Sequence, residues 1–145
     1  MIETVEIKKT ATLDDYCACP SLSGSVQSLR DEAQSLLTRL RGRKVWMVNS
    51  TANGGGVAEM LPQLVSILRE LGLPTEWVVM GSDKPEFFAL TKRLHNMIHG
   101  EGDAALSESD RALYEAVGRE NARALKGLIG PDDILVIHDP QPLGM

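Results

Sequence analysis

The sequence predicts an α/β domain built on a parallel sheet, and three observations lead to that fold class. Short, continuously apolar segments alternate with longer segments in which apolar residues recur at helical spacing. The apolar segments lack the polar alternation of a strand with one solvated face, so both of their faces should be covered. Glycine or proline marks most of the turns between them. With right-handed crossovers, this alternation is typical of a partial Rossmann-like sheet with helices on both sides.

We expect residues 1–43 to form an N-terminal extension with one amphipathic helix. VEIKKT, residues 5–10, has the composition of a short strand, and DDYCACPSLSGS, residues 14–25, is typical of a loop. Apolar residues at helical spacing then predict a helix over residues 24–41. Cys17 and Cys19 are too close in sequence for ordinary disulfide geometry, so we expect two free thiols.

Residues 44–145 are expected to form an incomplete Rossmann-like domain with about three core strands. The predicted elements are strands at 44–49, 75–80 and 134–138, and helices from the triple glycine to residue 72, from 83 to 100 and from 107 to about 130. The second of these helices should be capped by Asp83 and Glu86 around Pro85. The first strand should lie between the other two. With so few strands, at least one sheet edge should stay unpaired and invite pairing with another chain.

The segment NSTANGGGVAEML, residues 49–61, is the first candidate for a binding site. Gly54, Gly55 and Gly56 follow the first strand of this domain and open a helix, at the sheet edge where α/β proteins bind ligands. Backbone N–H groups and the helix dipole could accept an anion such as a diphosphate there. A tight turn without a ligand is the alternative. The segment fits neither the G-x-G-x-x-G nor the P-loop pattern, so another phosphate-bearing or polyhydroxyl ligand is favoured over NAD or ATP.

Two further groups of polar residues are candidates for the same edge. HDPQP follows the last strand, where His138 and Asp139 could hydrogen-bond a ligand or merely cap the strand. Lys92, His95 and Asn96 could form a polar side of the second helix facing a cleft. His95 and His99 have the spacing of a metal pair but lack the Glu of H-E-x-x-H and a third ligand, so we expect neither metal nor cofactor.

The charge and hydropathy of the chain limit the classes of partner and the cellular location that we expect. The net charge of −5 and the pI of about 5.2 disfavour nucleic acid, which binds basic faces. No apolar run approaches the roughly 18 residues of a membrane span, and the N-terminus lacks the apolar region of a secretory signal. We therefore expect a cytoplasmic protein with no membrane partner.

Three blocks resemble the N-terminal domain of the trehalose glycosyltransferring synthases, which are retaining glycosyltransferases of the two-domain GT-B type. These blocks are VNSTANGGGVAEML, FFALTKRLHNMIHG and ILVIHDPQP, and the resemblance covers about residues 44–142. It implies a nucleotide-diphosphate-glucose donor bound mainly by a C-terminal domain and a glucose acceptor bound mainly by this one. It also implies that this chain, which lacks the donor-binding domain, is inactive alone. The alternatives are a stand-alone sugar or nucleotide-sugar binding module, or a structural subunit that forms a homodimer or pairs with a separate C-terminal half.

The resemblance also implies roles for individual residues. The loop on the donor diphosphate side would be Gly54, Gly55 and Gly56. The residues that shape its entry and could contact sugar would be Asn49, Ser50 and Thr51. The contacts to sugar hydroxyls would come from His138, Asp139 and Gln141. The resemblance names no catalytic residue in this chain.

Overall fold

The computed structural model describes residues 2–8, 10–40 and 42–145, and it confirms the partial Rossmann-like α/β fold. The elements are β1 (Glu3–Thr4), α1 (Leu13–Cys17), α2 (Ser23–Leu40), β2 (Val45–Asn49), α3 (Gly56–Glu70), β3 (Thr75–Val79), α4 (Pro85–Ile98), α5 (Glu108–Lys126), β4 (Ile134–Ile137) and a 3-10 turn (Pro142–Gly144). The sheet order is β1-β3-β2-β4. β2 pairs in parallel with both β3 and β4, so it lies between them as the sequence predicts.

Helices cover both faces of the central strand β2. Its side chains alternate between two apolar layers, one on each face. All five residues of β2 are buried. Val45 and Met47 face α3, where they pack in one cluster with the fully buried Leu61. Trp46 and Val48 belong to a second cluster that includes Leu125 of α5. The sheet is therefore the middle of three layers, as expected for continuously apolar parallel strands.

The N-terminal strand differs from its prediction. The structure pairs Glu3 and Thr4 with β3 in antiparallel register, and the Val5 amide adds a bond to the Trp77 carbonyl (2.9 Å). The strand thus lies at residues 3–4 rather than 5–10, and Met1 and Lys9 lie outside the described residues. β1 protects the outer edge of β3. Within the described residues the outer edge of β4 has no partner strand, in line with the expected open edge.

The prediction of a loop over residues 14–25 is wrong at residues 14–17 and 23–25, which are helical, and right for the turns at residues 18–22. Leu13–Cys17 is a helix because Thr12 and Asp15 form a capping box, in which the Asp15 amide donates to Thr12 and Asp15 accepts from the Thr12 amide. The Leu13 side chain is buried. α2 then begins at Ser23 and ends at Leu40, while Arg41, the predicted last residue, lies outside the described residues. Both cysteine thiols are free.

The two helices that follow β3 begin differently. The predicted cap of α4 by Asp83 is wrong, because the N-cap residue is Lys84 and no side chain caps the helix. The Lys84 amide donates instead to the Ser82 hydroxyl (3.1 Å). α5 begins where the sequence predicts, after Ser107, and the structure adds a capping box between Ser107 and Asp110.

Asp133 ties the start of β4 to the start of β2, and we expect it to make stability depend on pH. Its carboxylate accepts from the Trp46 indole (2.9 Å), the Gly130 amide (2.8 Å) and the Lys44 amide (3.1 Å). These donors, the Trp46 indole foremost, hold the pKa of Asp133 below its usual range. A depressed pKa contributes stability above the unfolded-state pKa of about 3.9, and that contribution is lost as pH falls through the folded-state value.

Replacing Asp133 with asparagine should therefore destabilise the fold most at neutral pH. The difference in free energy of unfolding between wild type and Asp133→Asn should shrink as pH falls below about 4. Urea denaturation at several pH values measures it. Asp132→Asn, a change at the exposed neighbouring carboxylate, is the matched control. A difference between wild type and Asp133→Asn that does not vary with pH would contradict this role.

Candidate functional site

The carboxyl ends of β2 and β4 open onto a cleft of about 490 Å³. The loops after these strands form one side of it, and α4 forms the opposite wall. The lining residues are Asn49, Ser50, Thr51, Gly54, Gly55, Gly56, Val57, Ala58, Phe88, Lys92, His95, Asp139 and Gln141. Of the candidate site residues predicted from sequence, only His138 and Asn96 do not line this cleft.

The glycine loop forms the turn from β2 into α3. Gly54 and Gly55 have φ of 75° and 88°, so both adopt backbone conformations that side chains disfavour. Gly56 begins α3 and has no positive φ. A Cβ on any of the three would meet no heavy atom within 4 Å. Packing inside the chain therefore requires none of these glycines, and backbone conformation requires only the first two.

Asn49 holds this loop to the sheet. Its side chain is completely buried and bridges two groups. The Trp77 indole donates to its Oδ1 (2.8 Å), and its Nδ2 donates to the Thr51 carbonyl (2.7 Å). The Thr51 hydroxyl in turn donates to the Asn53 carbonyl (2.7 Å). The amide of Asn49 therefore fixes the start of the loop from inside.

Substituting Gly55 tests whether the loop has this conformation. Gly55 combines φ of 88° with ψ of 152°, a region that essentially only glycine occupies, so Gly55→Ala should cost about 1–3 kcal/mol of stability. Gly102→Ala is the control, since Gly102 has φ of 90° and also has free space around it. Both variants should lose stability in urea denaturation, but only Gly55→Ala should shift the amide NMR signals of residues 51–58. Unchanged stability in Gly55→Ala would contradict the described loop.

In the loop after β4, two buried polar atoms lack hydrogen-bond partners in the part of the chain that the structure describes. The His138 amide donates to the Val48 carbonyl (2.8 Å), which continues the sheet by one residue. Asp139 has φ of 68°, which turns the chain back toward α5, where the Tyr114 hydroxyl donates to the Pro140 carbonyl (2.6 Å). His138 Nε2 and Gln141 Oε1 are both buried without a hydrogen-bond partner among the described residues. Buried polar groups are normally satisfied, so these two atoms call for an explanation.

One face of α4 forms the opposite wall of the cleft. Phe88, Lys92 and His95 line it at positions i, i+4 and i+7, which share a helix face. Asn96 does not line it. Instead, its backbone carbonyl accepts from the amides of His99 (3.0 Å) and Glu101 (2.9 Å) at the helix end.

Sequence reasoning missed Phe88, Val57 and Ala58 as lining residues. Phe88 belongs to the apolar pattern of its helix, yet its side chain is exposed and lies at the cleft. The interval of four residues between Phe88 and Lys92 places both on one face of α4, and this interval could have indicated that Phe88 lines the cleft. Val57 and Ala58 gave none, because they line the cleft as part of the first turn of α3.

The described residues offer neither a metal centre nor a membrane span. The rings of His95 and His99 lie 4.7 Å apart between centroids, but no group of three or more His, Cys, Asp or Glu among the described residues is arranged to hold a metal. In the described ranges, no helix is long and apolar enough to cross a bilayer.

Comparison with known proteins gives a consistent set of relatives. The family model for the N-terminal domain of trehalose synthase matches residues 47–145. A trehalose synthase from Rubrobacter xylanophilus is 46% identical over 116 residues, which are 80% of this chain and 27% of that protein. A trehalose synthase from Pyrococcus horikoshii is 37% identical over 135 residues, or 92% of this chain and 30% of that protein. A trehalose phosphorylase from Pleurotus pulmonarius is 31% identical over 70% of this chain and 15% of that protein. The chain thus spans less than a third of the length of these relatives.

Proposed function

This chain belongs to the trehalose synthase N-terminal domain family, and from that premise we propose that its cleft is the acceptor-side half of a retaining glucosyltransferase site. One observation carries the proposal. Three segments far apart in sequence, the glycine loop, the Lys92 face of α4 and the loop after β4, meet around one cleft. Ligands of α/β proteins bind at this position, beyond the carboxyl ends of the strands.

The glycine loop would face the diphosphate of a nucleotide-diphosphate-glucose. Gly56 supports this role, since neither its backbone conformation nor its surroundings require glycine. No side chain caps the start of α3, so no side chain blocks the N–H groups of its first turn. Such groups favour negative charge close to the backbone.

The remaining polar groups would bind sugar hydroxyls. Lys92 and His95 are exposed on one wall, and Asp139 and Gln141 lie on the other. The Gln141 side chain supports this assignment, because it lines the cleft and an amide can both donate to and accept from hydroxyls. Asn49, Ser50 and Thr51 would shape the entry of the loop. The sugar would be glucose or a closely related sugar, in keeping with the names of the relatives.

The cleft has the properties of one half of a site. Lys92 is the only lysine or arginine among the described residues that line it. One cation balances little of the charge that a diphosphate carries. The three glycines, Lys92 and His95 are exposed, so this chain leaves the cleft open to water. We therefore place the remaining phosphate contacts on a donor-binding domain, and we propose a cytoplasmic protein whose isolated chain is inactive.

Replacing Lys92 with methionine tests the assignment of the cleft. Lys92→Met keeps an unbranched side chain but removes the charge-assisted bonds to ligand, so sugar affinity should fall about tenfold. Lys126→Met is the control, because Lys126 is exposed in the last turn of α5, outside the cleft. Amide NMR shifts during titration with glucose and with trehalose measure the affinity. Equal affinities in the two variants would remove Lys92 from the site.

A further inference from the structure

Phe88 is an apolar side chain exposed in the cleft, and the proposed function has so far given it no role. Two other apolar residues line the cleft, but Ala58 is buried in the core between α3 and the sheet, and Val57 packs against the same core. The chain has two Phe, two Trp and two Tyr residues, and among them only Phe88, at 38%, is exposed. A single exposed apolar side chain is common on a protein surface. The position of Phe88 inside a cleft with hydrogen-bonding groups makes it a candidate for ligand contact.

The Phe88 ring is supported by a rigid neighbour. It meets the Phe87 ring edge to face, with the centroids 5.4 Å apart and the planes at 78°. Phe87 is completely buried between α4 and α5 and stacks in turn on Tyr114, with the centroids 6.1 Å apart. A side chain that is already held by its neighbours loses little conformational freedom when a ligand covers it. The ring is therefore positioned in advance for contact with a ligand.

The other exposed side chains of the cleft are all polar. Lys92 and His95 follow Phe88 on the same face of α4, about one and two turns further along the helix. Lys92 thus lies about 6 Å beyond Phe88 along the helix axis. Thr51 and Asp139, from the loops after β2 and β4, are also exposed in this cleft. An apolar surface that shares a cleft with donors and acceptors suits a molecule with apolar faces and a polar rim.

A hexopyranose has this distribution of polar and apolar surface. Its equatorial hydroxyls project outward from the ring, while several of its C–H bonds point to the two faces of the ring. These hydrogens carry partial positive charge, because their carbons bear oxygen, and the face of a phenyl ring is negative. A phosphate would be repelled by that face and would lose hydration against it. Phe88 therefore favours a sugar ring over a phosphate at its end of the cleft.

We propose that Phe88 is the stacking residue for the acceptor sugar, with its ring packed against the C–H face of the pyranose. This inference rests on the proposed function, and it divides the cleft into two parts. The sugar ring lies over Phe88, where its hydroxyls meet Lys92 and the polar groups across the cleft. The donor diphosphate lies at the glycine loop. Phe88 thereby favours cyclic sugars over open-chain polyols, since only a ring presents a flat C–H face.

Titration of the chain with glucose, followed by NMR, tests this role. Phe88→Leu keeps an apolar side chain but loses the aromatic ring, so glucose affinity should fall about twofold to tenfold. Phe88→Tyr keeps the ring and should bind glucose as wild type does. Tyr16→Leu is the matched control, because Tyr16 is a half-buried aromatic residue that lines a different pocket. This control should leave glucose affinity unchanged.

The proton spectrum of bound glucose gives a second readout, which a purely structural role of Phe88 would not produce. Protons that lie over the face of an aromatic ring shift upfield. The C–H protons of glucose should therefore shift upfield with wild type and with Phe88→Tyr, but not with Phe88→Leu. Sorbitol, the open-chain polyol related to glucose, should bind wild type more weakly than glucose does, and this preference should narrow in Phe88→Leu.

Two results would overturn the stacking role alone. These are wild-type affinity in Phe88→Leu, and glucose C–H protons that do not shift upfield when wild type binds the sugar. If Lys92→Met weakens glucose binding in the same experiment, the proposed function stands. A folded wild type that binds neither glucose nor trehalose would overturn the proposed function and this inference together. The shift measured with wild type requires no variant, so the test stays decisive if Phe88→Leu fails to fold.

Discussion

Asn49→Leu will lower the free energy of unfolding by about 3 kcal/mol. The change removes an acceptor from the buried Trp77 indole and a donor from the Thr51 carbonyl. Leaving one buried polar group unsatisfied costs about 1–3 kcal/mol. Leucine adds apolar volume but cannot satisfy either group. Urea denaturation followed by circular dichroism measures the loss, and Asn53→Leu, at an exposed position in the same loop, should change stability by no more than about 0.5 kcal/mol.

A double-mutant cycle separates this bond from the general cost of replacing a buried residue. Trp77→Phe removes the indole donor, so Asn49→Leu should cost less in that background than in wild type. The coupling should be about 1 kcal/mol or more, since contacting residues in one network are not additive. Fully additive losses would mean that the bond between Trp77 and Asn49 contributes nothing to stability. Asn49→Leu should also weaken sugar binding, because Asn49 fixes the start of the glycine loop.

The isolated 145-residue chain will transfer no detectable glucose from a nucleotide-diphosphate-glucose to glucose. The leaving diphosphate must be stabilised as it departs, and loss of a single stabilising donor commonly slows catalysis about a hundredfold to a thousandfold. Among the described residues lining the cleft, Lys92 is the only lysine or arginine. The cleft is also open to water, so donor and acceptor are not held together in reactive geometry.

Chromatographic detection of trehalose, with UDP-glucose and with ADP-glucose as donor, measures this activity. A full-length trehalose synthase assayed alongside is the positive control. Product that grows in proportion to the purified chain and disappears in Lys92→Met would contradict the prediction. Product that persists in Lys92→Met would point to a contaminating enzyme, and further purification of the chain should then remove it.

The central part of the fold could be predicted from sequence because the patterns that indicate it lie within a few neighbouring residues. β2 is apolar at four of its five positions, and the three glycines begin five residues after its end, so its buried character and the turn into α3 follow from nearby residues. The capping box of Ser107 and Asp110 also lies within four residues. The box of Thr12 and Asp15 is equally local, but it was missed because the proline-, serine- and glycine-containing segment beyond it suggested a loop throughout.

The candidate site could be predicted only in part, because some of its hydrogen bonds join residues that are far apart in sequence. The rule that ligands bind beyond the carboxyl ends of the strands predicted that the glycine loop and Asp139 share one sheet edge, and both line the cleft. It could not predict that Asn49 is bonded to Trp77, since the two residues are brought together only by the pairing of β2 with β3. Long-range contacts of this kind leave no pattern in the neighbouring sequence.

Calorimetric titration of the chain with glucose, trehalose, UDP-glucose and ADP-glucose tests the central claim most directly. If the cleft is the acceptor-side half of a glucosyltransferase site, the chain will bind glucose or trehalose, with one site per chain. The nucleotide sugars will bind weakly or not at all, because most of their phosphate contacts lie outside this cleft. A folded chain that binds neither glucose nor trehalose would contradict the claim.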